Sequence, residues 1–329
     1  MKAGAHFPAV SVLQSWRRTA ASFQFGLGLV LLVLVVVLSC AAPVFFTVGN
    51  LLNVIRQAAP TLIVGVAMTL VITSGGIDLS VGSGLGLTGV LAALGLAAGW
   101  NWAVVILLLL GFGAIIGLVN GLLVTLGGLP PFIATLATLS ILRGSAQVIT
   151  KGYSIPVPPA SPFIDLGRGS FAGIPAPILF AVVGLGIGYL LFNSTRFGIY
   201  VTGIGSNEEA VRRNGVNTNR IKLGVYLFSG VMTAVAGMIT SARLASGSSY
   251  SGIGFELDVI SAVVLGGTNL FGGAGTLLGT VLGTLILAII GNGLILLQVS
   301  PFYEQIIKGV ILVVAIVANQ GALQRVLKG

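Results

Sequence analysis

Charge is what this sequence has least of. Only 7% of its 329 residues are Asp, Glu, Lys or Arg, where an average soluble domain carries about 25%. So few charges cannot clothe a soluble protein of this length. Soluble enzymes, secreted disulfide scaffolds and nucleic-acid-binding domains are therefore excluded, and an all-α polytopic membrane protein is expected. Cysteine is almost as scarce. The single Cys40 rules out an intrachain disulfide and any Cys-based metal cluster. The single histidine, His6, lies in the N-terminal tail, so no His-held metal or haem is expected inside the membrane, and no cofactor. A GxxxxGK[ST] phosphate loop is missing, so the chain does not bind ATP that way. GxSxG and HExxH are missing too, and no acid–base chain lies deep in the apolar stretches. A catalytic role is not expected.

What the chain does have is apolar residues, 56%, and 49 glycines. Small residues let helix backbones approach closely in lipid. A spanning helix needs about 20 mostly apolar residues, and ten apolar segments follow one another: 23–42, 54–73, 81–98, 102–126, 132–150, 176–192, 223–245, 258–270, 274–298 and 305–319. The eighth is short and Gly-rich and reads equally as a broken or re-entrant helix, which leaves eight to ten spans. The first could be a signal segment, with VLSC before Ala41 as a lipoprotein-like cleavage site. Its apolar run is too long for that, and membrane sequence follows it. The expected organisation is a cytoplasmic tail (1–22), one transmembrane domain (23–319) containing a cytoplasmic loop (193–222), and a cytoplasmic C-terminal tail (320–329).

The net charge of +9 sits at the ends of apolar stretches, which is how orientation is set in a bilayer. With the N-terminus inside and ten spans, ten of the 16 basic residues fall on the cytoplasmic side. They are Lys2, Arg17, Arg18, Arg196, Arg212, Arg213, Arg220, Lys222, Arg325 and Lys328. Arg56, Arg143, Lys151, Arg168, Arg243 and Lys308 fall outside, most of them near helix ends from which they can snorkel.

Two loops stand out. Residues 151–175 form an outer loop rich in Pro, Ser and Gly, with Tyr153, Asp165 and Arg168. Residues 193–222 form the longest polar stretch, and within it NEEAVRRNG reads as a short amphipathic helix. Ser206 or Asn207 is its N-cap, Glu208 and Glu209 occupy its first turn, Arg212 and Arg213 its last, and Gly215 stops it. Each residue type sits where capping and the helix dipole favour it.

Three further features bear on function. SGGIDLSVGS (residues 74–83) places polar, Gly-rich backbone between two apolar helices, which lipid does not tolerate. Asp78, one of few acids near membrane depth, is a functional residue by default; alternatively Asp78 or Ser80 simply caps the next helix at a turn. GGTNLFGGAGT (residues 266–276) loosely repeats that pattern. Thr268 and Asn269 there can hydrogen-bond a polar solute or belong to a Gly-packed turn. Finally, Thr69, Asn120, Thr125, Thr135, Thr138, Gln147, Asn292 and Gln298 are neutral polar groups inside the apolar segments, and they suit helix–helix hydrogen bonds better than a solute. Glu256, Asp258 and Glu304 fall at outer helix ends, where capping is expected.

With these motifs in view, the chain resembles the permease subunits of bacterial ABC importers for monosaccharides, the group handling ribose, xylose, arabinose and galactose. SGGIDLSVGS, the RFG…GSNEEAVRRNGV loop from Arg196, ELDVISAVVLGGTNLFGGAGT from Glu256 and the run past Gly279 carry the likeness, which covers residues 51–319. The resemblance implies that the 193–222 loop docks on an ATPase subunit through a motif of general form EAAxxxG. Glu209, Ala210 and Gly215 match it, and Val211 replaces the second Ala. The family's following I-x-L-P is met by Val225, Tyr226, Leu227 and Phe228, without the proline. Also implied are ATP-binding subunits that carry the hydrolysis, a sugar-binding protein, a second permease copy and a solute path between the two permeases. The setting is the bacterial inner membrane, with lipid around the chain, a small sugar as solute and no nucleic acid. A self-contained transporter coupled to protons or sodium is the alternative, and Asp78 would be its carboxylate. A passive channel is a third reading, disfavoured by the helix-bearing loop.

Overall fold

The computed structural model describes the backbone from Ala9 to Ser300, side chains from Phe23 onward, and scattered positions as far as Val317. The chain forms α1 (Ala9–Ala41), α2 (Val48–Thr73), α3 (Val81–Ala97), α4 (Trp102–Thr125) and α5 (Pro131–Thr150). An irregular stretch follows, with β1 (Ile155–Pro156), a 3₁₀ turn (Pro162–Ile164), α6 (Asp165–Arg168), β2 (Ser170–Phe171) and β3 (Ile174–Pro175). Then come α7 (Ala176–Asn193), α8 (Arg196–Arg213), α9 (Thr218–Leu244), β4 (Ser246–Gly247), α10 (Phe255–Leu265) and α11 (Leu277–Leu296). β2 and β3 form a hairpin, and β1 pairs antiparallel with β4.

Among the described residues seven helices are long and apolar enough to cross a membrane: α1 from Phe23, α2, α4, α5, α7, α9 and α11. Side chains start several of the helices. Thr47, Asn101, Thr195, Asn217 and Thr276 each accept a hydrogen bond from a backbone N–H of the first turn, satisfying donors that have no partner within the helix. Prolines at the first or second position open α5 and α7, where a missing N–H costs nothing.

Two of the ten expected segments differ from full spans. α3 has 17 residues and α10 only 11, which at 1.5 Å per residue is about 25 and 16 Å against a hydrocarbon core of about 30 Å. Both are screened from lipid, since α3 is buried along nearly its whole length and most of α10 is buried. The helix of the first segment also starts earlier than expected, at Ala9, within the stretch read as a tail. Residues 9–22 contain neither Gly nor Pro, so the helix runs on past the apolar stretch at little cost. Met1–Pro8, the 320–329 tail, Glu304 and five positions of the tenth segment (312, 315, 316, 318 and 319) lie outside the described residues.

Glycine contacts set the helix packing. On α4, a Cβ at Gly113 or Gly117 would collide with α9 backbone at Gly230 and at Tyr226–Leu227, so these helices run antiparallel with backbones touching. α3 runs parallel to α9, with Gly84 beside Thr233 and Gly89 beside Ser241. α2 and α11 are antiparallel, joined by the Thr69–Thr280 hydroxyl pair (2.6 Å) and by reciprocal amide bonds between Asn50 and Asn292. Of the eight polar residues expected to join helices, Thr69, Asn120, Thr135 and Asn292 bond to another element, while Thr125 and Thr138 bond back to their own helix. α8, the C-terminal ends of α2 and α10 and the N-terminus of α11 gather at one end of the bundle. The β2–β3 hairpin and α6 lie at the other, packed on α7 and α9.

Candidate functional site

The break between α2 and α3 is built around Asp78, which is 1% exposed. Its Oδ1 accepts hydrogen bonds from the Ser80 N–H (3.0 Å) and the Ser80 hydroxyl (2.6 Å), with the Asn120 amide at 3.4 Å. Its Oδ2 accepts from the Ser229 hydroxyl of α9 (2.8 Å). Asn120, on α4, also donates to the Ser80 hydroxyl (2.8 Å). The adjoining Ile77 carbonyl accepts from Thr135 of α5 and Tyr226 of α9. One seven-residue break therefore ties α3, α4, α5 and α9 together. Ser80 occupies the N-cap position of α3 but makes no side-chain capping bond, and Asp78 reaches the N–H of Ser80 itself, not one inside the helix. Both residues thus belong to a tertiary knot that joins four helices. Both carboxylate oxygens are held by neutral donors, an arrangement suited to locking a loop.

The second break, residues 266–276, meets the first. The Gly273 N–H donates to the Thr73 carbonyl at the end of α2 (2.9 Å), and Gly275 lies against the Thr73 side chain. Asn269 is turned into its own loop: its amide donates to the Gly272 carbonyl and its Oδ1 accepts from the Phe271 N–H. Thr268 is fully buried, with its hydroxyl 3.5 Å from the Thr276 N–H. α8 closes the triangle. A Cβ at Gly205 would strike both the Thr73 carbonyl and the Gly273 nitrogen, and Gly272 (φ +88°) rests on Gly75. Three separate sequence motifs converge there through glycine backbone.

α8 changes direction at Asn207 (φ −161°, ψ 94°). Beyond this kink the short amphipathic helix stands as expected. Asn207 Oδ1 accepts from the Ala210 N–H (3.0 Å), and Gly215 ends the segment in the left-handed region at φ +82°. Glu209 is gripped by Arg212 and Arg213 one turn on. Glu208 pairs with Lys222 of α9 (2.5 Å), so the segment is clipped to a spanning helix. Partial burial alone would raise the Glu208 carboxyl, but hydrogen bonding to Lys222 and its charge, with Thr218 and Arg212, hold it below the usual carboxylate range. Hydrogen bonds from Arg212 and Arg213 hold Glu209 below that range as well. Ala210, Arg212 and Arg213 stay exposed.

Sequence reasoning missed a third irregular segment, residues 246–254. It descends alongside α3: Gly247 packs on Gly89, Ser251 on Gly86 and Gly252 on Gly82. Gly82 lies 15 residues from the end of α3, or about 22 Å along its axis. α10 thus begins deep in the bundle, contrary to the outer-end position expected for Glu256 and Asp258. Arg143 of α5 donates to the Ser249 and Ser251 carbonyls, Glu256 presses on Gly82, and Asp258 pairs with Lys308 (3.0 Å). The run SSYSGIG gave no periodic signal, so it read as an outer loop.

Residues 50–316 match the family described as branched-chain amino acid transport system / permease component. The chain is 43% identical over 293 residues to the ribose import permease of Escherichia coli (strain K12), covering 88% of this chain and 91% of that one. It is 41% identical over 298 residues to the ribose import permease of Bacillus subtilis (strain 168), 90% and 92% covered. With the galactofuranose transporter permease of E. coli it shares 35% over 309 residues, 91% and 90% covered. The chain belongs to this permease family. No solved structure matches it. Membership makes the chain a multi-pass inner-membrane permease of the ABC importer type, which works with an ATP-binding subunit and a substrate-binding protein. Permeases of this kind are not themselves enzymes, and the transporter coupled to protons or sodium is set aside.

Proposed function

We propose that this permease moves a monosaccharide into the bacterial cytoplasm by alternating access, driven by ATP hydrolysed in separate subunits. The observation that carries the mechanism is the contact of α8 with both helix breaks. Closure of the ATP-binding subunits pushes on the segment from Glu208 to Gly215, whose exposed Ala210, Arg212 and Arg213 form the docking face. The Glu208–Lys222 pair and the Gly205–Thr73–Gly273 contact pass that push to α9, α2, α10 and α11. The knot at Asp78 and Ser80 moves α3 with them, and Thr268 and Asn269 keep the second break in shape, so these four residues act in gating. Two states biased by nucleotide and by the loaded binding protein suffice.

The solute path follows from the segment 246–254. Irregular backbone at membrane depth survives only against protein or a water-filled cavity, and Tyr250, Ile253 and Leu257 on this side are exposed. A second permease copy covers that face, and the path runs between the two. Sugar as the solute class is supported by the names of the relatives, two of them ribose permeases and one a galactofuranose permease. The α8 end is cytoplasmic, with both termini on that side, as the ten-to-six charge asymmetry favours. The transmembrane domain is residues 23–319, flanked by the tails 1–22 and 320–329.

Co-purification with the ATP-binding subunit tests this. The intact chain is expected to hold that subunit in detergent and stimulate its ATPase activity, and Glu209→Lys to abolish both with normal membrane insertion. Full stimulation by Glu209→Lys contradicts the docking role.

A further inference from the structure

The end of the bundle opposite α8 holds two arginines on packed helices, α2 and α9, neither paired with an acid among the described residues. Arg56 lies on α2, nine residues in from Val48 when both are counted, and Arg243 is in the last turn of α9. Each is partly buried, and Arg56 is the charge that bears on Arg243. Arg56 Nε and Arg243 Nη1 are buried and have no hydrogen-bond partner, and neither guanidinium pairs with a carboxylate among the described residues. Arginines that merely snorkel keep their heads in water, whereas these present buried, unsatisfied donors. Two like charges on adjoining helices, each with an orphaned N–H group, are uncompensated unless an anion completes them. The planar, multi-donor guanidinium suits a phosphate oxyanion held by two forks.

The surroundings indicate where the phosphate comes from. Ile55 and Leu244, the chain neighbours of the two arginines, are exposed, as are Phe46 and Val48 at the start of α2. α6 packs on α9 there, and the Arg168 Nε–H donates to the Arg243 carbonyl, so a third cation stands close by. A cationic notch edged by open apolar surface matches an amphiphile, with headgroup in the notch and acyl chains on the helix faces. We propose that Arg56 and Arg243 bind the phosphate of an anionic phospholipid, which holds α2 against α9 at this end.

The test uses the assembled importer, purified and delipidated in detergent. Phosphatidylglycerol, phosphatidylcholine and inorganic phosphate are titrated separately while thermal unfolding is followed, and native mass spectrometry counts the retained lipid. Phosphatidylglycerol is expected to raise the unfolding midpoint saturably, with one tightly retained molecule per permease. Arg56→Gln and Arg243→Gln should each weaken its apparent affinity about fivefold, and Arg56→Lys less. An equal response to phosphatidylcholine overturns the proposal. Equal stabilisation by inorganic phosphate overturns the lipid source and leaves a free-anion site. Unchanged lipid retention in both Gln variants, with loss of stimulation by the binding protein, overturns it in favour of a protein carboxylate docked there. If a Gln variant fails to assemble, the wild-type comparison of the three probes decides alone.

Discussion

Asp78 shows what a single residue does in this chain. Its two oxygens are shared among Ser80, Asn120 and Ser229, so Asp78→Asn replaces an acceptor with a donor that faces other donors. It is expected to cost about 1–3 kcal/mol and to lower the thermal unfolding midpoint in detergent. Ser229→Ala, which removes one donor, should cost about half as much. An unchanged midpoint for Asp78→Asn would mean the knot does not hold the break. Glu208 and Glu209 make a second prediction, with a definite sign. Both carboxyls lie below their ordinary range in the folded chain, so their stabilisation is complete above the unfolded value of about 4.3 and is lost as pH falls through the lower folded values. A spin label at Ala210→Cys, in a Cys40→Ser background, should keep constant mobility from pH 8 to 5 and loosen only below about pH 4. Loosening near neutral pH contradicts the assignment.

Elements were legible in the sequence where one physical signal dominated. Apolar run length places α2, α4, α5, α7, α9 and α11, and capping chemistry places the kinked segment after Asn207. The pairing of Asp78 with Ser229 was not legible, because 151 residues separate them and nothing local marks Ser229. Nor was the descent of residues 246–254, whose depth is set by glycines on another helix. The junction of α8 with the two breaks is likewise tertiary, and it yields a prediction. Gly205→Val has no room against Thr73 and Gly273. It should leave the ATP-binding subunit able to bind, since Gly205 precedes the Asn207 kink and faces Thr73 and Gly273 instead of the exposed docking face, while reducing ATP-dependent uptake at least tenfold. Gly215→Val meets a different obstacle, a left-handed backbone costing about 1–2 kcal/mol, and should weaken binding of that subunit. Normal uptake by Gly205→Val would remove α8 as the transmitting element.

At the scale of the whole molecule, seven long helices among the described residues surround two short ones, α3 and α10, whose N-terminal ends meet at depth through Gly82, Gly252 and Glu256. The irregular backbone lies where helices end inside the bundle, and Tyr250, Ile253 and Leu257 beside it are exposed, which is why the proposed partner copy is placed there. Orientation is open to a direct check. A protease tag inserted in the 193–222 loop should be protected in right-side-out vesicles and cut in inverted ones, and the opposite pattern reverses the topology. The central claim is that an ATP-driven push on α8 opens a path for a sugar. Its most direct test is uptake of a panel of labelled monosaccharides by proteoliposomes holding this permease, its ATP-binding subunit and its binding protein, with ATP enclosed or omitted. Uptake that needs both ATP and the binding protein, and ignores imposed proton and sodium gradients, is the predicted result. Uptake that follows either gradient without ATP would contradict it.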